Sequence, residues 1–247
     1  MKSPDPSFSS ALSPRPLRLR GESGLLIFDM DGVLVDVSES YRETIARTVE
    51  HFTGRAITRQ AIQECKNQGG WNDDWHLTHH LVRAGGAEAS FEEVRARFQE
   101  LFLGVNGSPG LIQRERWIAR QGVLEDLIQY FNFALFTGRP KEEAHLTLGR
   151  FAAGLRFHPI IGMHEVARHK PAPDGLLEII GANPGVRAFY IGDTIDDARA
   201  AHAAAIPFIG IAAPENPLRG ELVSLFQSQN AAAILDDINQ LPEALGQ

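Results

Sequence analysis

The sequence predicts an α/β fold: a doubly wound parallel-sheet (Rossmannoid) core with a helical domain inserted after its first strand. The first observation is a set of short apolar runs, each followed by small, turn-forming or acidic residues, at 25–28, 133–136, 188–191 and 207–211. Such runs are typical of strands buried on both faces of a parallel sheet. The second observation is that helical patterns lie between most of these runs, and this alternation predicts a doubly wound domain.

The first 23 residues are expected to lie outside this domain. They contain four prolines set among serines, at Pro4, Pro6, Pro14 and Pro16. They lack the apolar core of a signal peptide. We therefore predict that residues 1–23 form a flexible tail.

The stretch between the first and second apolar runs has a helical pattern and no strand run. Tyr41, Ile45, Val49 and Phe52 fall at helical spacing, and Gly54 is placed to end that helix. Two more helices are expected, one over 71–82 and one that begins at a capping box of Ser90 with Glu93. These patterns predict a core of residues 24–36 and 122–247, and a helical cap of residues 37–121.

The bulk properties limit the class of protein. The chain has 247 residues, a formal net charge of −7 and a single cysteine, Cys65. The acidic balance without a Lys/Arg run disfavours nucleic acid and anionic membranes as partners. No stretch approaches the roughly 20 apolar residues that a membrane span needs. A lone cysteine cannot form an internal disulfide, so we expect a cytoplasmic protein. We also expect the protein to be a monomer or a homodimer.

A pair of carboxylates follows the first predicted strand. Asp29 and Asp31 are separated by one residue, and Gly32 permits close backbone approach. Ligands of open α/β sheets bind beyond the carboxyl ends of strands. The pair therefore suits a nucleophile with an acid/base, or ligands for a hard cation. A simple Asp-Gly chain reversal is the alternative interpretation.

Two further segments suit the binding of an anion. Thr137 and Gly138 follow the second apolar run and offer a hydroxyl and free N–H groups to phosphate oxygens. Lys170, held by the next proline, places a positive charge that could face a dianionic centre. Taken singly, these residues are better explained by an ordinary polar turn and a solvated lysine.

Three acids follow the third apolar run, at Asp193, Asp196 and Asp197. One carboxylate can cap a helix, but three exceed what capping requires and would repel one another. The cluster therefore indicates a bound cation or a nearby lysine.

Together, the four segments resemble the motifs of the haloacid dehalogenase-like (HAD) hydrolase superfamily. The matching residues are Asp29 to Val33 for Asp-x-Asp-Gly-Val, then Thr137, Lys170 and Gly192-Asp193-x-x-x-Asp197. The resemblance covers roughly residues 24–247, and the predicted insert falls at the C1 cap position. The sequence is thus similar to C1-capped, phosphatase-type members, the phosphoglycolate phosphatases and beta-phosphoglucomutases.

The resemblance implies roles for the motif residues. Asp29 would attack phosphorus and form a phospho-aspartate, and Asp31 would serve as general acid and base. Thr137, Gly138 and the backbone near Gly32 would hold the phosphoryl group of a small phosphorylated metabolite, and Lys170 would neutralise its charge. Mg²⁺ would be bound by Asp29, Asp31 (through its carbonyl), Asp193 and Asp197. Asp196 would orient Lys170 or bind the metal through water.

The cap is expected to select the substrate. Lys66, Asn67 and Asn72 flank a glycine pair and could contact a polar leaving group, although an ordinary interhelical turn explains them as well. Arg139 follows the Thr137 motif and either lines the site or lies at the surface.

Asp31 distinguishes between the branches of the superfamily. The dehalogenases lack this second acid because a halide leaves without a proton, so its presence favours phosphoryl transfer. A phosphomutase uses the same motifs, and a non-catalytic binding module of the same fold is a further alternative.

Overall fold

The computed structural model describes residues 24–247, so the predicted tail at 1–23 lies outside the described residues. Its centre is a six-stranded sheet in which all strands are parallel, in the order β5-β4-β1-β6-β7-β8. These strands are β1 (Gly24–Phe28), β4 (Phe131–Phe136), β5 (Phe157–Ile161), β6 (Ala188–Gly192), β7 (Phe208–Ile211) and β8 (Ala233–Leu235). The predicted α/β class is confirmed.

Helices cover both faces of the sheet. They are needed on both because alternate residues of β1 point to opposite sides and all of these side chains are apolar. Leu26 and Phe28 belong to one buried cluster, whereas Leu25 and Ile27 belong to a second. Both sets need cover, which accounts for the continuous apolar run. The helices of the core are α5 (Val123–Leu127), α6 (Lys141–Phe151), α7 (Asp174–Gly181), α8 (Ile195–Ala203), α9 (Arg219–Ser228) and α10 (Leu241–Leu245).

The cap consists of α1 (Tyr41–Thr53), α2 (Arg59–Gln68), α3 (Asp74–Ala84) and α4 (Phe91–Leu103). Gly54 ends α1 with φ of +67°, a left-handed conformation that favours glycine. Ser90 and Glu93 form the predicted capping box of α4. Helix α2 was not predicted, because few residues of its sequence RQAIQECKNQ are apolar.

Two short strands join the cap to the core. β2 (Val35–Asp36) pairs antiparallel with β3 (Arg116–Trp117), so the two linkers run side by side. The expectation that the insert holds no strand was wrong at β3, since two residues are too short to show alternation. β5 and β8 were also missed: β5 contains Pro159, and β8 has three residues.

The sheet order places three chemically active segments at one edge. β1 lies between β4 and β6, and the chain continues from these strands into Asp29, Thr137 and Asp193. Because parallel strands have their carboxyl ends on the same edge, the three segments become neighbours. Within residues 24–247, no helix combines the length and the apolar character that crossing a membrane requires.

Candidate active site

Backbone pairing continues past the strand ends and fixes two of the site residues. The Asp29 N–H donates to the carbonyl of Ile191 at 2.8 Å, and the Thr137 N–H donates to that of Ile161 at 3.0 Å. Both side chains are buried, at 5% and 1% exposure. Asp29 and Thr137 are therefore held by the sheet itself rather than by mobile loops.

Lys170 brings the acidic segments together. Its buried ammonium group donates to Asp29 Oδ1 at 2.8 Å, to Asp197 Oδ1 at 2.7 Å and to the Tyr190 hydroxyl at 3.0 Å. Burial would lower the pKa of Lys170, but Asp197 and Asp29 outweigh it and raise that pKa. The lysine is therefore a fixed positive charge beside Asp29.

Asp197 has donors on both carboxylate oxygens. Oδ1 accepts from Lys170 and from the Tyr190 hydroxyl at 2.7 Å, and Oδ2 accepts from the Thr194 N–H at 3.0 Å and hydroxyl at 2.6 Å. Burial favours the neutral acid, yet Lys170, Thr194 and Tyr190 keep the pKa of Asp197 below its usual value. Its main observed contact is thus with Lys170, and direct metal binding by this residue stays a prediction.

Asp29, Asp193 and Asp197 form a cluster that suits a cation. One carboxylate oxygen of each lies within 4.8 Å of the others. Burial, partly offset by Lys170, raises the pKa of Asp29 to about 7, and burial with the neighbouring Asp29 raises that of Asp193. A hard divalent ion with oxygen ligands would relieve this repulsion, so the residues fit the predicted metal. The carboxylate of Asp31 lies outside this cluster, and its predicted carbonyl ligation stays a prediction.

Gly32 lies against this cluster. Its φ is +74°, and a Cβ at this position would meet Asp193 Oδ2 at 2.0 Å. Only glycine lets the turn after Asp29 approach the second acidic segment so closely. The predicted close approach at Gly32 is therefore present.

Asp31 points toward a cleft between core and cap rather than into the Lys170 cluster. This cleft is lined by Asp31, Gly138, Arg139 and Asn72, together with Tyr41, Asp73, Asp74, Trp75, Pro140 and Met163. The Asp31 side chain is 23% exposed, and Arg139 Nε donates to its Oδ1 at 2.7 Å. A carboxylate here can exchange a proton with a group bound in the cleft.

Arg139 has a different set of partners from those predicted. Its side chain is 1% exposed, and its three nitrogen atoms contact Asp31, Glu115 and Thr147. The predicted alternatives were a residue that lines the site or one at the surface; Arg139 does line the cleft, and its contact with a substrate stays a prediction. The surface position is wrong because the side chain is buried, and the nitrogens are directed to protein acceptors rather than into open space.

Asn72 and Gly138 meet across the cleft. A Cβ on Gly138 would lie 2.5 Å from Asn72 Nδ2, so the cap loop lies directly on the Thr137 motif. The Thr137 hydroxyl accepts from the Arg139 N–H at 3.2 Å, which closes the turn. The structure therefore brings Asn72, Thr137 and Gly138 together, and their predicted contacts with a substrate stay predictions.

The two other predicted cap residues differ in placement. Lys66 Nζ contacts Asp74 Oδ1 at 2.5 Å, and Arg42 lies 3.7 Å from the same oxygen. The charges of Arg42 and Lys66 oppose the rise in the Asp193 pKa, which places both near the acidic cluster. Asn67 is buried and accepts from Gln63 of its own helix at 2.8 Å. No contact of Asn67 connects it to the cluster.

Asp196 joins the core to the cap. Its carboxylate accepts from the Gly70 N–H at 2.9 and 2.8 Å, across the gap between α8 and the loop after α2. Arg199 lies 3.7 Å from it. Of its two predicted roles, the orientation of Lys170 finds no support, because the observed partner of Asp196 is the Gly70 N–H. Metal binding through water stays a prediction.

Several residues of the site were missed. Tyr190 carries a hydroxyl in an otherwise apolar strand run, and that polar atom was the available signal. Glu115 and Arg42 belong to segments with no motif. Nothing in their local sequence marks them, since their roles come from contacts with distant residues.

Comparisons with known proteins identify the family of the chain. The family profile described as haloacid dehalogenase-like hydrolase matches residues 26–211. The chain is 36% identical over 199 residues to an imidazoleglycerol-phosphate dehydratase of Phytophthora nicotianae, covering 77% of this chain and only 43% of that relative. It is 25% identical over 236 residues to a phosphoglycolate phosphatase of Pseudomonas putida, covering 88% of this chain and 78% of the relative.

Solved structures support the fold. A haloacid dehalogenase-like protein from Agrobacterium tumefaciens superposes with a TM-score of 0.67 at 19% identity, over 91% of this chain and 98% of that chain. A phosphatase from Thermococcus thioreducens has a TM-score of 0.59 at 25% identity, over 83% and 99% of the two chains.

Proposed function

Because the chain belongs to the haloacid dehalogenase-like hydrolase family, we propose that it hydrolyses a small phosphate monoester with Asp29 as the nucleophile. The observation that carries the proposal is the contact of the Lys170 ammonium group with Asp29 Oδ1 at 2.8 Å. It orients the carboxylate and offsets the negative charge that meets at the reacting centre. Thr137 and the Gly138 N–H, at the end of the adjacent strand, would hold the phosphoryl oxygens.

In the first step, an oxygen of Asp29 attacks phosphorus and the bond from phosphorus to the ester oxygen breaks. Its electron pair stays on the leaving oxygen, which takes a proton from Asp31. In the second step, water attacks the phospho-aspartate, Asp31 takes a proton from that water, and inorganic phosphate leaves. Asp29 is then free, and Asp31 is again protonated.

A magnesium ion is part of this proposal. Asp29 and Asp193 would be its carboxylate ligands, with Asp197 holding Lys170 beside them. When bound, the ion supplies positive charge that lets an anionic carboxylate approach an anionic phosphate. Lys170 supplies part of this charge from the protein side, and the glycine at position 32 leaves room for Asp193.

The leaving group would be small and polar. The Pseudomonas relatives have the name phosphoglycolate phosphatase, so 2-phosphoglycolate is the first ester to assay. On the cap side, Arg42 and Lys66 both pair with Asp74. These two cations are the proposed contacts for a leaving group that carries a carboxylate.

The test is phosphate release from p-nitrophenyl phosphate, 2-phosphoglycolate and a panel of sugar phosphates, with Mg²⁺ and with chelator. Turnover that requires Mg²⁺ and is lost in Asp29→Asn supports the proposal. Unchanged turnover in chelator, or full activity of Asp29→Asn, contradicts it. Conversion of a hexose 1-phosphate to its 6-phosphate without phosphate release would instead establish a phosphomutase, and Mg²⁺ binding without any turnover would indicate a binding module.

A further inference from the structure

Arg139 is the most deeply buried charged side chain beside the cleft, and its contacts are asymmetric. Nε and Nη2 both donate to the same oxygen of Asp31, Oδ1. Nη1 donates to the Thr147 hydroxyl at 3.0 Å and pairs with Glu115 Oε1 at 2.7 Å. The guanidinium group thus connects Asp31 on one side with Glu115 on the other.

The contact with a single oxygen matters for a general acid. A guanidinium group only donates, so the oxygen it contacts stays an acceptor. The proton of a neutral Asp31 is then directed to Oδ2. Because the two donors of the rigid fork both meet Oδ1, they fix the position of that oxygen. Arg139 therefore determines which atom of Asp31 gives its proton.

Glu115 anchors the far side of Arg139. Its side chain is fully buried, and its Oε2 accepts from the Thr147 hydroxyl at 2.8 Å. It directly precedes β3, which pairs with β2 in the linkers between core and cap. The counter-charge of Arg139 is thus built into the linker rather than into the catalytic loop.

The cap contributes the remaining wall of this pocket. The Tyr41 ring, at the start of α1, lies 4.6 Å from the Arg139 Cζ. The Tyr41 hydroxyl donates to Glu143 of α6, and Gln99 of α4 donates to Glu143 at 3.0 Å. The position of the guanidinium group consequently depends on both the linker and the cap.

A purely structural role explains this arrangement poorly. Buried ion pairs rarely stabilise a fold more than apolar residues of the same size, because desolvation offsets their attraction. What an arginine adds here is geometry, since one rigid group meets acceptors from three separated segments. We propose that Arg139 is a positioning residue: it orients the Asp31 carboxyl group and ties that orientation to Glu115 in the linker.

The proposal rests on the proposed function, and its test separates the two. An alkyl phosphate needs a proton on its leaving oxygen, whereas p-nitrophenolate leaves without one. Since kcat/KM covers the steps up to the first bond cleavage, loss of a positioned acid lowers kcat/KM for the alkyl ester alone. The later hydrolysis of the phospho-aspartate needs Asp31 as a base, so kcat falls for both esters.

The main variant is Arg139→Lys, which keeps the charge and loses the fork. We expect kcat/KM to fall about 100-fold for 2-phosphoglycolate or another alkyl ester. For p-nitrophenyl phosphate, kcat and KM should fall together and leave kcat/KM within about threefold of wild type. Glu115→Gln, which leaves Arg139 intact, is the second variant and should show the same pattern in weaker form.

Arg150→Lys is the matched control. Arg150 lies 3.8 Å from Glu115 and donates to the carbonyl of Ile112 at 2.7 Å, without contacting Asp31. It should leave the ratio of the two kcat/KM values unchanged. If Arg139→Lys and Glu115→Gln lower kcat/KM equally for both esters, the proposal is overturned. A rise in KM alone would also overturn it, because it would mean that Arg139 contacts the substrate.

The double variant Asp31→Asn/Arg139→Lys tests whether Arg139 acts through Asp31. If Arg139 acts through Asp31, the double variant should be no slower on the alkyl ester than Asp31→Asn alone. Additive losses would overturn the positioning role. If Asp31→Asn itself fails to discriminate between the two esters, the assignment of Asp31 as the acid fails. That result would contradict the proposed function, whereas additive losses would contradict only the positioning role of Arg139.

Discussion

Replacing Asp29 with asparagine tests the electrostatics of the Lys170 cluster independently of any substrate. Burial raises the pKa of Asp29 to about 7, with Lys170 opposing the rise and Asp197 and Asp31 adding to it. Asparagine resembles the protonated acid in shape and keeps a carbonyl oxygen that can accept from Lys170. In the absence of metal, Asp29→Asn should therefore stabilise the fold at neutral pH.

The direction and size of this stabilisation follow from the difference in proton binding between the native and the unfolded state. In the unfolded chain the carboxyl group titrates near its ordinary value of 3.8. Between this value and about 7 the native state binds a proton that the unfolded chain has lost, so native stability falls as the pH rises. A shift of about 3 pKa units corresponds to roughly 4 kcal/mol at about 1.4 kcal/mol per unit. The asparagine variant avoids this cost, so its advantage should be near zero at pH 4 and largest at pH 8.

The assay is urea-induced unfolding in chelator, with thermal unfolding as a second measure, at several pH values from 4 to 8. For a domain of this size, 4 kcal/mol corresponds to an increase in Tm of about 10 °C. Mg²⁺ should reduce the difference, because it stabilises the wild-type site by binding. A variant that is less stable at pH 8, or a difference that does not change with pH, would refute the reasoning.

Asp36→Asn is the control, because its effect on stability should be opposite to that of Asp29→Asn. Although burial raises the pKa of Asp36, hydrogen bonds from Ser38 and the charge of Arg116 outweigh it and lower that pKa. Its contribution to stability is present above the unfolded pKa and is lost as the pH falls through the lowered native value. Its substitution should destabilise the protein at neutral pH.

Three further substitutions have definite expected results. Gly32→Ala should weaken Mg²⁺ binding, measured by calorimetry, and cost roughly 1–3 kcal/mol in unfolding, because its Cβ would strike Asp193; unchanged affinity would contradict this. Tyr190→Phe should lower both kcat and stability, by roughly 1–3 kcal/mol in urea unfolding, since Lys170 loses a buried acceptor; wild-type kcat would count against it. Ser90→Ala should cost about 1 kcal/mol through the lost capping box and leave kcat unchanged; a fall in kcat would show that α4 affects the site.

Much of the core could be predicted because its chemistry is local in sequence. Strands β1, β4, β6 and β7 are buried on both faces, so their apolar runs are continuous. The polar residues that follow them necessarily meet at one edge of a parallel sheet. Each of Asp29, Thr137 and Asp193 could thus be placed at that edge from the runs, whereas their grouping into one site came from the resemblance to the HAD superfamily.

The remaining features depend on contacts between distant residues. The Arg139–Asp31 pair spans 108 positions, and the Asp196–Gly70 contact spans 126. Sequence periodicity does not indicate contacts between distant residues. The position of Arg139 could therefore not be predicted, and a surface or a substrate-binding residue remained the alternatives. Helix α2 was missed for a different reason, since few of its residues are apolar.

The pairing of β2 with β3 means that the chain leaves and re-enters the core at adjacent points. The segment between these strands is therefore topologically a module, and a helical graft from another protein could close on the same two strands without altering the sheet. Glu115 sets a condition on such a graft, because it lies inside the exchanged segment and neutralises Arg139. A donor that lacks a carboxylate just before β3 would leave a buried guanidinium group short of a partner. Exchange of specificity between such proteins is therefore restricted by one residue that does not line the cleft.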